Sequence, residues 1–294
     1  MITRFDHVVI AVRNLEEAIR HYQKLGFDVS PGGRHTGLGT HNAIIRFGLD
    51  YIELISIYDE TEVNSSRLGG KVALDFLRKR EGGLLGYALA TSDIEQDAEH
   101  FRKIGLEAVG PFAMQRMRPD GQLLSWRLLV PGGVPWRQPT PFLIQWDAPD
   151  EQRLTWERLG THPNGATGWK GIEVAVSNLQ HTFDVYQRQL GLQPDRGDVR
   201  DDLAATRIPF HVGTSTVDLL WPFDEEGPVQ DMLTEIGEGP YEVTLTVKDL
   251  DQTREFLKQR GISPESEDSY ALLLPLEQTL GARLVLTERK VITS

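Results

Sequence analysis

The sequence contains no cysteine, and this absence excludes several kinds of chemistry. Disulfide bonds, thiolate zinc sites and cysteine nucleophiles all require a thiol. No stretch approaches the roughly 20 apolar residues that a membrane-spanning helix needs. The first residues, Met1 to His7, also lack the apolar region of a secretory signal. We therefore expect a cytoplasmic protein without a membrane partner.

Basic residues are scarce relative to acidic ones. Lys and Arg total 31 against 43 Asp and Glu, which gives a net charge of −12. Nucleic-acid binding requires clustered Lys and Arg, so a nucleic-acid partner is not expected. The sequence also has no P-loop, no dinucleotide fingerprint and no Gly-x-Ser-x-Gly elbow. We expect a small molecule as partner, no nucleotide cofactor, and a monomer or homodimer.

One pattern occurs four times along the chain. Each copy is a short apolar strand, then Asn or Asp, then a helical stretch that ends in Gly. The offsets from Asn or Asp to Gly are 12, 12, 13 and 12 residues. The pairs are Asn14 and Gly26, Asp93 and Gly105, Asn178 and Gly191, and Asp249 and Gly261.

The residue types in this pattern have a physical reason. Asn and Asp are good N-caps because their side-chain oxygens accept free N–H groups of the first helical turn. Gly is favoured just after a helix, where φ is positive. Strand-like runs follow each Gly, such as residues 41–47 and 51–55. The pattern predicts four βαβββ modules and therefore an α+β fold.

The modules are predicted at about residues 4–58, 84–147, 169–222 and 240–288. The first two would form one domain, residues 1–147, and the last two a second domain, residues 169–294. Residues 148–168 contain connector-like Pro, Asp, Asn and Gly and are predicted to be a linker.

Paired βαβββ modules resemble the vicinal oxygen chelate superfamily, which includes glyoxalase I, extradiol dioxygenases and fosfomycin-resistance proteins. The first half is similar, more narrowly, to the glyoxalase-like domain family. The resemblance implies that the four modules form two cupped mixed-sheet barrels. The stretches that carry it are residues 5–9, 31–35, 39–43, 118–121 and 141–147.

The resemblance also implies a divalent metal ion inside a cup. Enzymes of the superfamily take ligands from the start of the first strand and from the last strand of each module. In the first pair of modules these positions hold His7, Glu53 and Gln145, with Gly86 in place of a fourth ligand. Imidazole and carboxylate ligands suit Zn, Fe, Ni or Mn. The alternative is that His7 ends its strand and hydrogen-bonds Glu53.

The second pair of modules has a different set of residues. Glu173, Asp218 and Glu242 are expected to face its cavity, without a histidine. Three carboxylates could hold a hard cation such as calcium or magnesium, or form a solvated acidic cup. We favour the solvated cup. Extradiol dioxygenase activity is not expected, because the two His of that site are absent.

Further candidate residues lie in a Gly-rich loop and the strand after it. Arg34, His35 and Asn42 are predicted to bind substrate, and His41 and Glu53 to be catalytic by moving protons. For His41 the alternative is a hydrogen bond that fixes the loop.

Two residues of the second module complete the candidate set. Trp126 is predicted to line an apolar pocket, and Arg127 to pair with a substrate carboxylate. Ordinary core packing is the alternative for Trp126.

Three functions are compatible with these features. The first is a metal-dependent lyase or isomerase of the glyoxalase type that acts on a small oxygenated molecule. The second is a metal-free protein that binds or sequesters a small molecule in the same cup. The third is an interaction module. The fold alone does not choose between them.

Overall fold

A computed structural model describes residues 1–66, 68–118, 120–157 and 159–288. Pro119 and residues 289–294, which fall within stretches discussed above, lie outside the described residues. The first half contains β1 (Ile2–Val12), α1 (Leu15–Lys24), β2 (Val29–Arg34), β3 (Thr40–Arg46), β4 (Tyr51–Ile57), α2 (Glu60–Ser65), α3 (Gly70–Lys79), β5 (Gly82–Thr91), α4 (Ile94–Lys103), β6 (Ala108–Met117), β7 (Leu123–Pro131) and β8 (Phe142–Trp146).

The second half begins with a short connecting helix. Its elements are α5 (Asp150–Trp156), β9 (Ala166–Ala175), α6 (Leu179–Asp184), β10 (Gln193–Pro194), β11 (Asp198–Arg200), β12 (Ala205–Val212), β13 (Ser215–Pro222), α7 (Pro228–Glu235), β14 (Gly239–Val247), α8 (Leu250–Gln259), β15 (Ser266–Glu267), β16 (Ala271–Leu273) and β17 (Arg283–Glu288).

The strands form two mixed sheets. The first has the order β2-β3-β4-β1-β5-β8-β7-β6, and the second the order β10-β12-β13-β9-β14-β17-β16-β15, with β11 paired to β12. In each sheet the central pair is antiparallel, and each central strand also has a parallel neighbour. The predicted α+β class with two curled mixed sheets is confirmed.

The predicted N-caps are observed at all four helices. The side chains of Asn14, Asp93, Asn178 and Asp249 each accept a hydrogen bond from the backbone N–H three residues later. The third module has the longer offset because a π-helical turn at residues 185–189 follows α6. A π turn accommodates one extra residue within a helix.

Side-chain alternation on β1 separates two environments. Val8, Ile10 and Val12 pack into the large core beneath the helices, whereas Val9 and Ala11 lie on the concave face of the sheet. We call that concave face, formed by β1–β8, the first cup, and its counterpart on the second sheet the second cup.

The two halves of the chain share one hydrophobic core. Phe5 meets Trp169 edge to face with ring centroids 4.6 Å apart, and the hydroxyls of Tyr87 and Tyr186 are hydrogen-bonded. The predicted linker is ordered in part as α5, whose Arg153 is buried. The boundary of the two domains remains a prediction. Within the described residues, no helix is both long and apolar enough to cross a membrane.

Candidate active site in the first cup

The first cup encloses a cavity of about 90 Å³. Its walls are mainly apolar because the inward-facing residues of β5, β7 and β8 are apolar or aromatic. Trp126, Trp136, Phe142, Ile144 and Trp146 belong to these walls. A group of polar side chains interrupts them on one side, consisting of His7, His35, Asn42, Glu53 and Arg116.

Glu53 is at the centre of this polar group. It lies on β4 beside Val9 of β1 and is only 7% exposed. The Nε2 atom of His7 is 3.7 Å from Glu53 Oε2, and the Nε2 atom of His35 is 3.4 Å from Glu53 Oε1. The amide of Asn42 donates a hydrogen bond to Glu53 Oε1. The carboxylate therefore sits between two imidazoles at the floor of an apolar cavity.

His7 is oriented by its neighbour in sequence, Asp6. An irregularity in β1 between Phe5 and His7 accompanies this arrangement. His7 Nδ1 is 2.8 Å from Asp6 Oδ1. Asp6 is completely buried, and its other oxygen accepts hydrogen bonds from Arg4 and from the indole of Trp146.

The charge state of Asp6 determines the tautomer of His7. Burial acts to raise the pKa of Asp6, but Arg4, the hydrogen bond from His7 and Arg153 outweigh it and hold that pKa far below its usual range. The ionised carboxylate can only accept, so His7 Nδ1 carries the hydrogen. Nε2 is then the ring nitrogen that faces Glu53.

His35 is neutral at physiological pH. Burial, reinforced by the positive charge of Arg116, lowers the pKa of His35 to about 4 even though Glu53 acts in the opposite sense. Its Nδ1 is 2.9 Å from the hydroxyl of Thr40, and its Nε2 is 3.2 Å from the amide nitrogen of Asn42. Since the amide nitrogen of Asn42 can only donate, His35 Nε2 accepts and His35 Nδ1 carries the hydrogen.

Arg116 also lines the cavity, although no sequence motif indicates it. Its Nη1 donates to Asn42 Oδ1 at 3.0 Å. Gly32 makes this contact feasible, because a Cβ at residue 32 would lie 1.9 Å from Asn42 Oδ1. Asp6 and Trp146 were also missed, although the adjacency of Asp6 to His7 was a signal that could have identified it.

Gln145 does not line the cavity that His7 and Glu53 line, and its role as a metal ligand stays a prediction. Its side chain accepts from the backbone of Ile94 and donates to the carbonyl of Ser92, which fixes it at the start of α4. The residue equivalent to Glu53 is Phe142, because Glu53 pairs with Val9 and Phe142 pairs with Ala88, each five residues before its helix cap.

Three other predicted residues also lie away from this cavity. His41 is on the opposite face of β3 from Asn42, with its ring 5.8 Å from that of Tyr58. The guanidinium of Arg34 lies over the same Tyr58 ring. Arg127 donates to Gln145. In contrast, His35, Asn42, Glu53 and Trp126 do line the cavity, and their functional roles remain predictions.

The residues present do not fit the divalent metal that the superfamily implies. Within the described residues, no group of three His, Asp or Glu is placed to hold a metal ion. The position of Gly86 is closed, since a Cβ there would lie 2.9 Å from the Trp136 ring. Both His35 Nε2 and Glu53 Oε1 already receive the amide hydrogens of Asn42.

The second cup differs in chemistry. Its carboxylates Glu173, Asp218 and Glu242 are each at most 7% exposed and line a cavity of about 540 Å³, and the solvated acidic cup stays a prediction. Arginines contact them from the rim: Arg200 donates to Glu173 at 2.5 Å, and Arg283 to Glu242 at 3.1 Å. Guanidinium groups already contact Glu173 and Glu242, which argues against a hard-cation site.

Comparison with known families agrees with this architecture. A family model described as a glyoxalase-like domain matches residues 5–190, which is more than half of the chain. The chain belongs to the glyoxalase-like domain family. No curated protein is significantly similar to it in sequence.

Two solved structures that align over nearly the whole chain share the fold of this family member. A hypothetical protein from Staphylococcus aureus has a TM-score of 0.68 at 17% identity, over 97% of this chain and 99% of that one. A mutant 4-hydroxymandelate synthase from Streptomyces coelicolor has a TM-score of 0.65 at 14% identity, over 98% and 94%. Methylmalonyl-CoA epimerase from Mycobacterium tuberculosis matches 43% of this chain and 90% of its own, at 21% identity and a TM-score of 0.40.

Proposed function

We propose that the first cup is the active site of a lyase or isomerase that moves a proton on a small oxygenated molecule, with Glu53 as the proton carrier. The observation that carries this proposal is the position of Glu53, a carboxylate at the floor of an apolar cavity between two imidazoles. A general base must lie within hydrogen-bond reach of the proton that it removes. Only a molecule inside this cavity can reach Glu53.

The proposed step is proton abstraction from a carbon beside a carbonyl group. Glu53 takes the proton, the electrons of the C–H bond move into the adjacent C–C bond, and the carbonyl oxygen becomes an enolate oxygen. Protonated Glu53 returns the proton to the same or the neighbouring carbon, or a leaving group departs. Apolar walls exclude water and strengthen the polar contacts of the intermediate.

The two imidazoles have different proposed roles. His7 presents Nε2 toward Glu53 while Asp6 holds its Nδ1 hydrogen, so His7 can accept a proton from Glu53 and share it during turnover. His35 directs its Nε2 to Asn42, so it orients the amide that contacts Glu53. No step in this scheme passes through a metal, since the donor set described above does not fit one.

A panel of small ketones, aldehydes and 2-oxo acids incubated in D₂O tests this proposal. The wild-type protein is expected to speed deuterium incorporation at the carbon beside the carbonyl of at least one compound, measured by NMR, and EDTA is expected to have no effect. Exchange that is absent with EDTA and restored by added metal would contradict the metal-independent scheme.

A metal-free binding protein is the second candidate. The observation that favours it is the aromatic character of the cavity, to which Trp126, Trp136 and Trp146 all contribute. It predicts that compounds bind and quench tryptophan fluorescence but that no compound of the panel exchanges hydrogen. The same panel therefore separates the two functions.

A further inference from the structure

Arg116 is a buried cation to which none of the described residues supplies a counter-ion. Its residue is 6% exposed, and within the described parts of the chain it forms no ion pair. The one hydrogen bond that it makes to a described residue goes from Nη1 to the neutral amide oxygen of Asn42. Its Nε atom is buried without a partner. A guanidinium presents five N–H donors, so most of them are unused.

The neighbouring arginines, unlike Arg116, do have carboxylate partners. Arg116 lies between the first cup and an outer cavity that Arg46 and Arg118 also line. Arg46 pairs with Glu157 at 3.1 Å, and Arg118 with Asp120 at 2.9 Å. Of the three arginines of the outer cavity, Arg116 alone has no carboxylate partner among the residues described here.

The surroundings hold Arg116 in this position. The backbone carries no side chain at Gly32 and Gly33, where a Cβ would lie 2.8 Å from Arg116 Nη1 and 3.4 Å from Arg116 Cγ. Asn42 connects the guanidinium to Glu53, since it accepts from Arg116 and donates to Glu53. A buried charge is costly unless it is paired. The carboxylate of Glu53 is connected to Arg116 only through Asn42, so an anion in the cavity would supply a direct partner.

We propose that Arg116 binds the carboxylate of the ligand, which makes the ligand of the first cup a small organic carboxylate. Guanidinium and carboxylate match each other in planar geometry and pair through two hydrogen bonds. Trp126 and Phe142 would contact its apolar part. The substrate class, which rests on the proposed function, is a small carboxylic acid whose reactive carbon lies beside Glu53.

Binding of matched pairs of compounds tests the proposal without turnover. Propionate, isobutyrate and benzoate are compared with their amides, by calorimetry and by tryptophan fluorescence, with inorganic phosphate as a further probe. At least one carboxylate is expected to bind the wild-type protein tenfold or more tightly than its amide. An absence of carboxylate preference in every pair, including an absence of binding, would overturn the proposal, and so would phosphate binding alone.

Substitutions of Arg116 test whether this residue causes the carboxylate preference. Arg116→Gln is expected to reduce the carboxylate-to-amide ratio to within twofold, whereas Arg118→Gln, which removes a paired arginine of the outer cavity, should leave the ratio unchanged. A ratio that persists in Arg116→Gln would overturn the assignment. Arg116→Lys keeps the charge and should retain part of the ratio, which provides a second variant if the glutamine protein does not fold.

A structural role for Arg116 predicts a different result. Removal of an unpaired buried charge should not lower the melting temperature, whereas loss of a structural contact should lower it without changing the ratio. The proposed proton transfer can fail separately, because Glu53→Gln is expected to keep the carboxylate preference. Carboxylate binding without hydrogen exchange would reject the reaction and keep the ligand class.

Discussion

His7 donates its Nδ1 hydrogen to the buried carboxylate of Asp6 over 2.8 Å, and the two residues are adjacent in the sequence. The pair fixes both the ring orientation and the tautomer of His7, so that Nε2 faces Glu53. A carboxylate that orients an imidazole in this way is a common supporting arrangement in active sites. The first cup thus contains Asp6, His7 and Glu53 in succession beneath an apolar cavity, with His7 Nε2 3.7 Å from Glu53 Oε2.

Replacement of Asp6 tests the energetic role of this pair. Asp6→Asn removes the buried charged acceptor of Arg4 Nη1 and His7 Nδ1, and we expect the free energy of unfolding to fall by about 3 kcal/mol, as for other broken buried ion pairs. Urea denaturation measures this change. The exposed Asp75→Asn is the control and should lower stability by less than about 1 kcal/mol.

The same residue predicts an acid dependence of stability. The pKa of Asp6 is lower in the folded protein than in the unfolded chain, so its stabilising contribution is complete above about pH 4. It is lost as the pH falls below that value. Melting temperatures of the wild type should therefore approach those of Asp6→Asn in acid, and parallel curves from pH 7 to 2 would contradict this account.

The second cup predicts a pH dependence of opposite sign. Burial, with the nearby charge of Glu242, raises the pKa of Glu173 to about 8. The folded protein then holds a proton that the unfolded chain releases at about pH 4, so Glu173 reduces stability progressively as the pH rises from about 4 to 8. Glu173→Gln should gain stability relative to the wild type over this interval, measured by thermal melts, and a constant difference would refute it.

Substitution of residues on the outer face of the first sheet is expected to leave deuterium exchange in the first cup unchanged. Gln145→Ala removes the hydrogen bonds to Ile94 and Ser92 and should cost about 1–2 kcal/mol of stability. His41→Ala removes a ring that packs against Tyr58 and should leave the rate of deuterium exchange unchanged. Exchange rates of both variants are expected to stay within twofold of the wild type. A loss of exchange in either variant would show that the substituted residue contributes to the site.

The sequence predicted the fold better than the site, for physical reasons. Caps such as Asn14 and glycines such as Gly26 are local signals, since each depends on the backbone of its own turn. Alternation along β1 predicts that His7 faces the cavity, and His7 of β1 and Glu53 of β4 both line it.

The errors arose where the facing of a strand depends on distant parts of the chain. β8 has five residues, and a shift of register by an odd number of residues moves every side chain to the other face. The sequence pattern aligned Gln145 with Glu53, whereas the structure aligns Phe142 with Glu53. Arg116 approaches Asn42 across a bridge between His35 and β6, a contact between residues far apart in sequence. No local pattern announces such a contact.

The central claim is that Glu53 moves a proton inside the first cup, and deuterium incorporation by Glu53→Gln tests it most directly. The glutamine side chain keeps the shape but cannot take the proton, so the exchange rate should fall about 10²–10⁴-fold while ligand binding persists. The exposed Glu60→Gln should exchange at the wild-type rate. Exchange by Glu53→Gln at the wild-type rate would contradict the claim.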